Sequence, residues 1–153
     1  MPLFIDQIEA GGPITLTDKN MTRFLLTLDQ AVDAVFEALQ FAHAGETYVP
    51  MIKAALIRDV AIALVGSKNV EVRESGIRPG EKLHEILISE EESLRTISRG
   101  DYFAIKSILP EVAVTSAGDP LDFSELSSEN YLMTLDEVQK FLYKNLSGDL
   151  TIN

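Results

Sequence analysis

The order of apolar and polar positions divides the chain into short helices and strands. Phe4, Ile5 and Ile8 recur at helical spacing and stop at Gly11-Gly12-Pro13, which predicts a short opening helix. No capping residue precedes it, so it reads as cut rather than begun. Ile14-Thr15-Leu16-Thr17 alternates as a strand does, Asp18-Lys19-Asn20 is turn chemistry, and Phe24-Leu25-Leu26 is a short apolar run. Thr27-Leu28-Asp29-Gln30 has the form of a capping box, and Leu28, Ala31, Val32, Val35 and Leu39 follow at helical spacing. A helix is therefore expected from about Leu28 to about His43, ended by Gly45. Glu46 to Pro50 reads as a strand, and Leu56, Val60 and Leu64 mark a second helix that ends at Gly66.

The second half is less regular. Val70-Glu71-Val72 alternates as a strand, Gly76 to Gly80 is a loop, and Glu81 to Ile88 is expected to form a short helix. Glu90-Glu91-Glu92 reads as a solvated turn, and Tyr102 to Ile105 as a strand. From Pro110 to about Asn130 the chain is rich in Ser, Asp, Glu and Gly, which suggests an extended arm rather than a packed element. Thr134-Leu135-Asp136-Glu137 is a second capping box, and Leu135, Val138, Phe141 and Leu142 form one stripe of a final helix. The class is α/β or mixed α+β, with too few strands for a self-contained parallel sheet.

Composition narrows the function classes. At roughly 100–200 residues per domain, the chain's 153 residues are one domain or a piece of something larger. Hydrophobic residues make up 46%, enough to bury a core. A net charge of -11 argues against binding nucleic acid or an anionic membrane, both of which need clustered Lys and Arg. No stretch approaches the roughly 18 apolar residues of a membrane span, and the N-terminus lacks the basic region of a signal peptide, so a soluble cytoplasmic protein is expected. With no Cys and only His43 and His84, neither a thiol nucleophile nor a metal site is expected.

Charge distribution says more than its total. The acids dominate both ends, whereas Arg58, Lys68, Arg73, Arg78, Lys82, Arg95 and Arg99 gather in the middle third and leave it neutral. On composition they read first as ordinary surface charges paired with nearby Glu, with the cations an anion site would need as the alternative. The chain has no G-x-G-x-x-G fingerprint and no P-loop. Tyr102 and Lys106 match the Tyr-x-x-x-Lys spacing of short-chain dehydrogenases. That chemistry needs both on one helical face, about 6 Å apart along the axis, and on a strand they stand about 13 Å apart. The segment is aromatic, β-branched and uncapped, so a catalytic role is not expected.

Two cations remain of interest. Arg23 stands in Met21-Thr22-Arg23-Phe24 with few other cations near it in sequence. Arg78 stands in Gly76-Ile77-Arg78-Pro79-Gly80-Glu81-Lys82-Leu83-His84-Glu85, where Pro and Gly fix a turn ahead of the expected helix. An Arg fork beside a helix N-terminus suits a phosphate, and Glu81 could accept two ribose hydroxyls. The competing reading is a Pro-Gly turn with a solvated Arg and a Glu that favours the helix dipole.

These strings, with Gly12-Pro13-Ile14-Thr15-Leu16-Thr17-Asp18 and Thr47-Tyr48-Val49-Pro50, resemble the C-terminal half of bacterial UDP-N-acetylglucosamine 4,6-dehydratases, some of them also 5-epimerases. These enzymes of capsule and surface polysaccharide biosynthesis are extended short-chain dehydrogenase/reductases. The resemblance runs from about Pro2 to about Asn145. It implies that residues 1–110 are a substrate-binding α/β portion, which the residue pattern follows with an extended arm over 111–133, a C-terminal helix over 134–146 and a disordered tail over 147–153. It further implies that Arg23 and Arg78 contact the UDP diphosphate and Glu81 the ribose, while Pro2-Leu3-Phe4 ends a segment lining the uridine pocket. The family's glycine-rich NADP-binding fold and catalytic residues have no counterpart here, so neither a bound cofactor nor catalytic residues are expected in this chain. The implied partners are a UDP-sugar, the cofactor-binding half and, through an unpaired strand edge at Glu46 to Pro50, a second copy. A free-standing nucleotide-sugar module and a ligand-free structural or oligomerisation piece are the alternatives.

Overall fold

The computed structural model describes residues 1–112 and 119–146. Helix α1 (Pro2–Glu9) leads into strand β1 (Ile14–Leu16), then β2 (Thr22–Phe24), α2 (Leu28–Phe41), β3 (Thr47–Pro50), β4 (Ala54–Leu56) and α3 (Ile57–Val65). There follow β5 (Val72–Glu74), β6 (Ile86–Ile88), a single-turn helix α4 (Glu90–Ser93), β7 (Thr96–Arg99) and β8 (Tyr102–Ile105). Two very short strands, β9 (Asp119–Pro120) and β10 (Leu126–Ser127), and the helix α5 (Leu135–Leu146) complete the described chain. The architecture is mixed α/β, as expected.

Local sequence explains the helices. The Thr27 hydroxyl accepts from the Gln30 N–H at 3.1 Å while the Gln30 side chain accepts from the Thr27 N–H at 3.0 Å, closing the capping box that starts α2. Thr134 and Glu137 do the same for α5. A third box, Ser89 with Glu92, turns the acidic run into α4 rather than a plain turn.

The strands form small sheets. The largest runs β3-β8-β7-β9, all antiparallel, and three two-stranded pairs join β1 with β5, β2 with β4 and β6 with β10. Among the described residues the β1/β5 pair is the one parallel ladder. The strand at Thr47 to Pro50, expected to lack a partner, is paired along one side with β8, from Thr47 opposite Ile105 to Pro50 opposite Tyr102. Its other side is the sheet edge among the described residues.

Three apolar clusters hold these elements together. Val49, Ile88, Phe103, Ile105 and Leu126 pack beneath the four-stranded sheet, Ala55, Val60, Met133, Val138 and Leu142 join α3 to α5, and Ile8, Ile14, Leu16 and Ala61 seat α1.

Two departures from the sequence reading matter for the site. Glu81 to Ile88 is not a helix: residues 81–85 run as loop, and Ile86 to Ile88 pair antiparallel with β10, burying Ile88 completely. Pairing with a strand nearly forty positions away overrides the local helical pattern. The Ser-rich stretch near Asn130 is extended, yet it is also pinned. Leu126, Ser127 and Ser128 are buried, and Tyr131 to Met133 bond Ala54 at 2.8 Å on both sides. The expected tail at 147–153 lies outside the described residues.

Candidate functional site

Strand β2 carries the first candidate residue. Arg23 stands opposite Ala55 of β4, and its guanidinium turns toward the segment before β6. Its Nη1 donates to the carbonyls of Thr22 at 2.6 Å and Leu83 at 3.1 Å, its Nη2 to that of Lys82 at 2.8 Å, and its Nε lies 3.6 Å from a Glu85 carboxylate oxygen. Of five N–H donors in the fork, those three bonds leave one on Nη2 and the one on Nε, which stands at ion-pair distance from Glu85. The backbone agrees with the side chain, since the Thr22 N–H donates to the Leu83 carbonyl at 3.0 Å. Arg23 therefore fastens residues 82–83 to β2.

Arg78 and Glu81 stand just before that clamp, in a turn. Pro79 holds the second position, Gly80 the third at φ +85°, and the Glu81 N–H donates to the Arg78 carbonyl at 3.1 Å, the arrangement of a type II turn. That φ is why Gly stands there. One Glu81 carboxylate oxygen accepts from the Arg78 N–H at 3.1 Å, which closes the turn from the other side. The Arg78 guanidinium is exposed and makes no hydrogen bond or ion pair among the described residues. Most other central cations are paired: Arg58 with Asp59, Arg73 with Glu71, Arg95 with Glu92 and Arg99 with Glu46. The surface-pair reading thus holds for these four and not for Arg78.

Because no helix follows Glu81, the expected helix N-terminus beside Arg78 does not exist. Donors for an anion would come from the guanidinium and the turn. Nor do Arg23 and Arg78 share a partner among the described residues, the first being committed to carbonyls and the second free of them there.

Behind the loop lies a hydroxyl cluster that the sequence did not announce. The Thr22 hydroxyl lies 2.8 Å from His84 Nδ1 and 2.6 Å from the Ser128 hydroxyl, which accepts from the Glu85 N–H at 2.8 Å. His84 Nε2 lies 3.5 Å from a Glu129 carboxylate oxygen. Thr22 and Ser128 are fully buried. Thr22 stood inside a string already singled out, but Ser128 sits in a polar stretch whose composition signals a solvated loop.

Tyr102 lies on β8, so the Tyr-x-x-x-Lys spacing falls on an extended strand and not on a helical face. Burial, and then the acids Glu37, Asp33 and Asp101, push its phenol up from its ordinary value, opposite to what a catalytic tyrosine needs. Among the described residues no group of His, Asp and Glu is placed to hold a metal, and no helix is long and apolar enough to cross a membrane.

The mixed α/β fold matches part of a longer solved chain. Pen from Bacillus thuringiensis superposes with a TM-score of 0.83 at 28% identity, over 94% of this chain and 44% of that one. Residues 1–107 match the profile of the family described as "Polysaccharide biosynthesis protein", and the chain belongs to that family. It is 41% identical over 108 residues to a UDP-glucose 4-epimerase of Rickettsia bellii and 42% identical over 108 residues to that of Rickettsia conorii. Each comparison covers 69% of this chain and 31% of the relative, so the chain spans about a third of the length of these curated relatives.

Proposed function

We propose that this chain is the nucleotide-sugar-binding portion of a UDP-sugar 4,6-dehydratase or epimerase of polysaccharide biosynthesis, with no catalytic activity of its own. The observation that carries the reading is Arg78: an exposed guanidinium without a partner among the described residues, held on a Pro-Gly turn beside a carboxylate with one oxygen uncommitted among them. A guanidinium matches a diphosphate, and the free Glu81 oxygen matches a ribose diol. Arg23 contributes its remaining N–H groups and its charge while holding the loop. UDP-N-acetylglucosamine is the sugar nucleotide we favour, and the UDP-glucose named for the relatives shares its diphosphate and ribose.

The parent chemistry is oxidation at C4, loss of water across C5 and C6, and return of the hydride, which calls for NADP. The residues present do not fit that cofactor. Among the described residues the one parallel ladder joins β1 to β5 with no glycine-rich turn from β1 into a helix, and the turns before α2 and α3 carry Thr27 and Leu56 at the cap rather than glycines. No step is assigned to the cofactor in this chain, and we propose that a separate cofactor-binding half supplies it.

One observation favours the structural alternative, in which these residues only stabilise turns: most of the Arg23 donors and one Glu81 oxygen are spent internally. Calorimetric titration with UDP and UDP-N-acetylglucosamine separates the two. Binding that Arg78→Ala abolishes supports the proposal, and no heat from either ligand supports the structural alternative.

A further inference from the structure

We propose that Thr22, His84 and Ser128 form a buried relay that positions the Arg78–Glu85 segment, so that Ser128, which lies outside the family-matched residues 1–107, is a positioning residue for the nucleotide-sugar site. The proposal rests on the function proposed above for Arg78 and Glu81.

The donors and acceptors of the cluster fit in one order. The Glu85 N–H donates to the Ser128 oxygen, which is thereby an acceptor at 2.8 Å. Ser128 is fully buried, and its own proton finds an acceptor in the Thr22 oxygen 2.6 Å away. The Thr22 proton then goes to His84 Nδ1 at 2.8 Å, which makes that nitrogen an acceptor. The ring proton stands on Nε2, facing the Glu129 carboxylate at 3.5 Å. In this order the Thr22 and Ser128 hydroxyls are both satisfied. Reversing it puts the ring proton on Nδ1, turns the Thr22 proton toward Ser128, and leaves the Ser128 proton without an acceptor among the described residues.

The relay grips three pieces of chain at once: β2, residues 84–85, and the segment after β10. The Ser128 N–H adds to the grip by donating to the Glu85 carbonyl at 2.8 Å. Arg23 grips residues 82–83 from the same strand. The turn bearing Arg78 and Glu81 is thus anchored at its C-terminal end by side chains on consecutive residues of β2, while residues 71–77 ahead of it are all exposed.

The test uses the whole chain and two readouts. Nitrogen-15 NMR of His84 should show the proton on Nε2 and an unprotonated Nδ1, and Thr22→Val should change the Nδ1 signal while Thr22→Ser preserves it. A proton on Nδ1 in the wild type would overturn the relay whether or not the chain binds a nucleotide sugar. In titrations with UDP, Thr22→Val and Ser128→Ala should each weaken binding about tenfold, and Thr22→Ser should stay within about threefold. Unchanged affinity in both deletions, with wild-type binding intact, would overturn the positioning role. Absence of wild-type binding alongside the expected His84 signal would reject the site and with it that positioning role, leaving the relay as an anchor of the loop.

Discussion

Arg23 reaches the carbonyl of Leu83 at 3.1 Å through the same Nη1 that bonds its neighbour's carbonyl, so one guanidinium bridges a strand and the loop that carries Arg78. Arg78 has no such engagement. The two arginines therefore separate experimentally. Arg23→Ala should lower stability by about 1–3 kcal/mol, because it strips charge-assisted bonds from three carbonyls. Arg23→Lys should recover little, since an ammonium cannot span them. Arg78→Ala should change stability by less than about 0.5 kcal/mol and still abolish UDP binding. Urea denaturation read beside calorimetric titration checks both halves. Equal stability losses in the two alanine variants would be incompatible with this division.

A second pair holds the far end of the sheet. Glu46, with a side chain only 4% exposed, receives two bonds from Arg99 at 2.9 and 3.0 Å, and Arg99 also meets Tyr48 and the Phe41 carbonyl. Burial pushes the Glu46 carboxyl up, but the Arg99 hydrogen bond, the His43 N–H and the nearby positive charge outweigh it and hold it below its ordinary value of 4.5. A depressed carboxylate contributes stability that is fully present above its unfolded pKa and fades as pH falls through the folded one. Glu46→Gln should cost about 1–3 kcal/mol near neutrality, and the gap to wild type should close as pH drops below 4.5. A gap independent of pH in denaturation curves would exclude this origin.

What the sequence made legible was local. The boxes at Thr27 and Thr134 announce α2 and α5 because capping is a contact within four residues, and the Pro-Gly turn at Arg78 is readable for the same reason. The pairing of Ile86 to Ile88 with Leu126 and Ser127 is not local, and its partner is a polar stretch without a strand signature. That pairing removed the helix expected after Glu81. The same non-locality hid Ser128, whose hydrogen-bond partners lie over a hundred positions and about forty positions away.

Glu137 offers a titration that reads a cap directly. The Lys53 ammonium at 2.7 Å, then the Thr134 N–H and hydroxyl, pull its carboxyl down to about 2. Carbon-13 NMR of the side-chain carboxyl should place its midpoint there, and Lys53→Ala should raise it toward 4.5. Because the folded value is depressed, the cap of α5 stays charged through mild acid and weakens only as pH falls through that low midpoint. A wild-type midpoint near 4.5 would mean that the cap does not form in solution.

Helix α2 contains no buried residue, and Leu28, Phe36 and Leu39 stand 79%, 65% and 78% exposed. An exposed apolar helix face beside the open edge of β3 is a surface that associates. The helix also carries Asp29, Asp33 and Glu37 and no base, so two copies meeting there bring like charges together. Self-association of the chain should therefore strengthen as salt screens that repulsion, about 10 Å of Debye length remaining at 0.1 M. Leu39→Lys removes part of the apolar face and should shift stability by less than about 0.5 kcal/mol, since the side chain packs on little. Light scattering across a concentration series should show association in the wild type, more of it at high salt, and less in Leu39→Lys. A strict monomer at every concentration and salt would show that the β3 edge and the α2 face do not drive association.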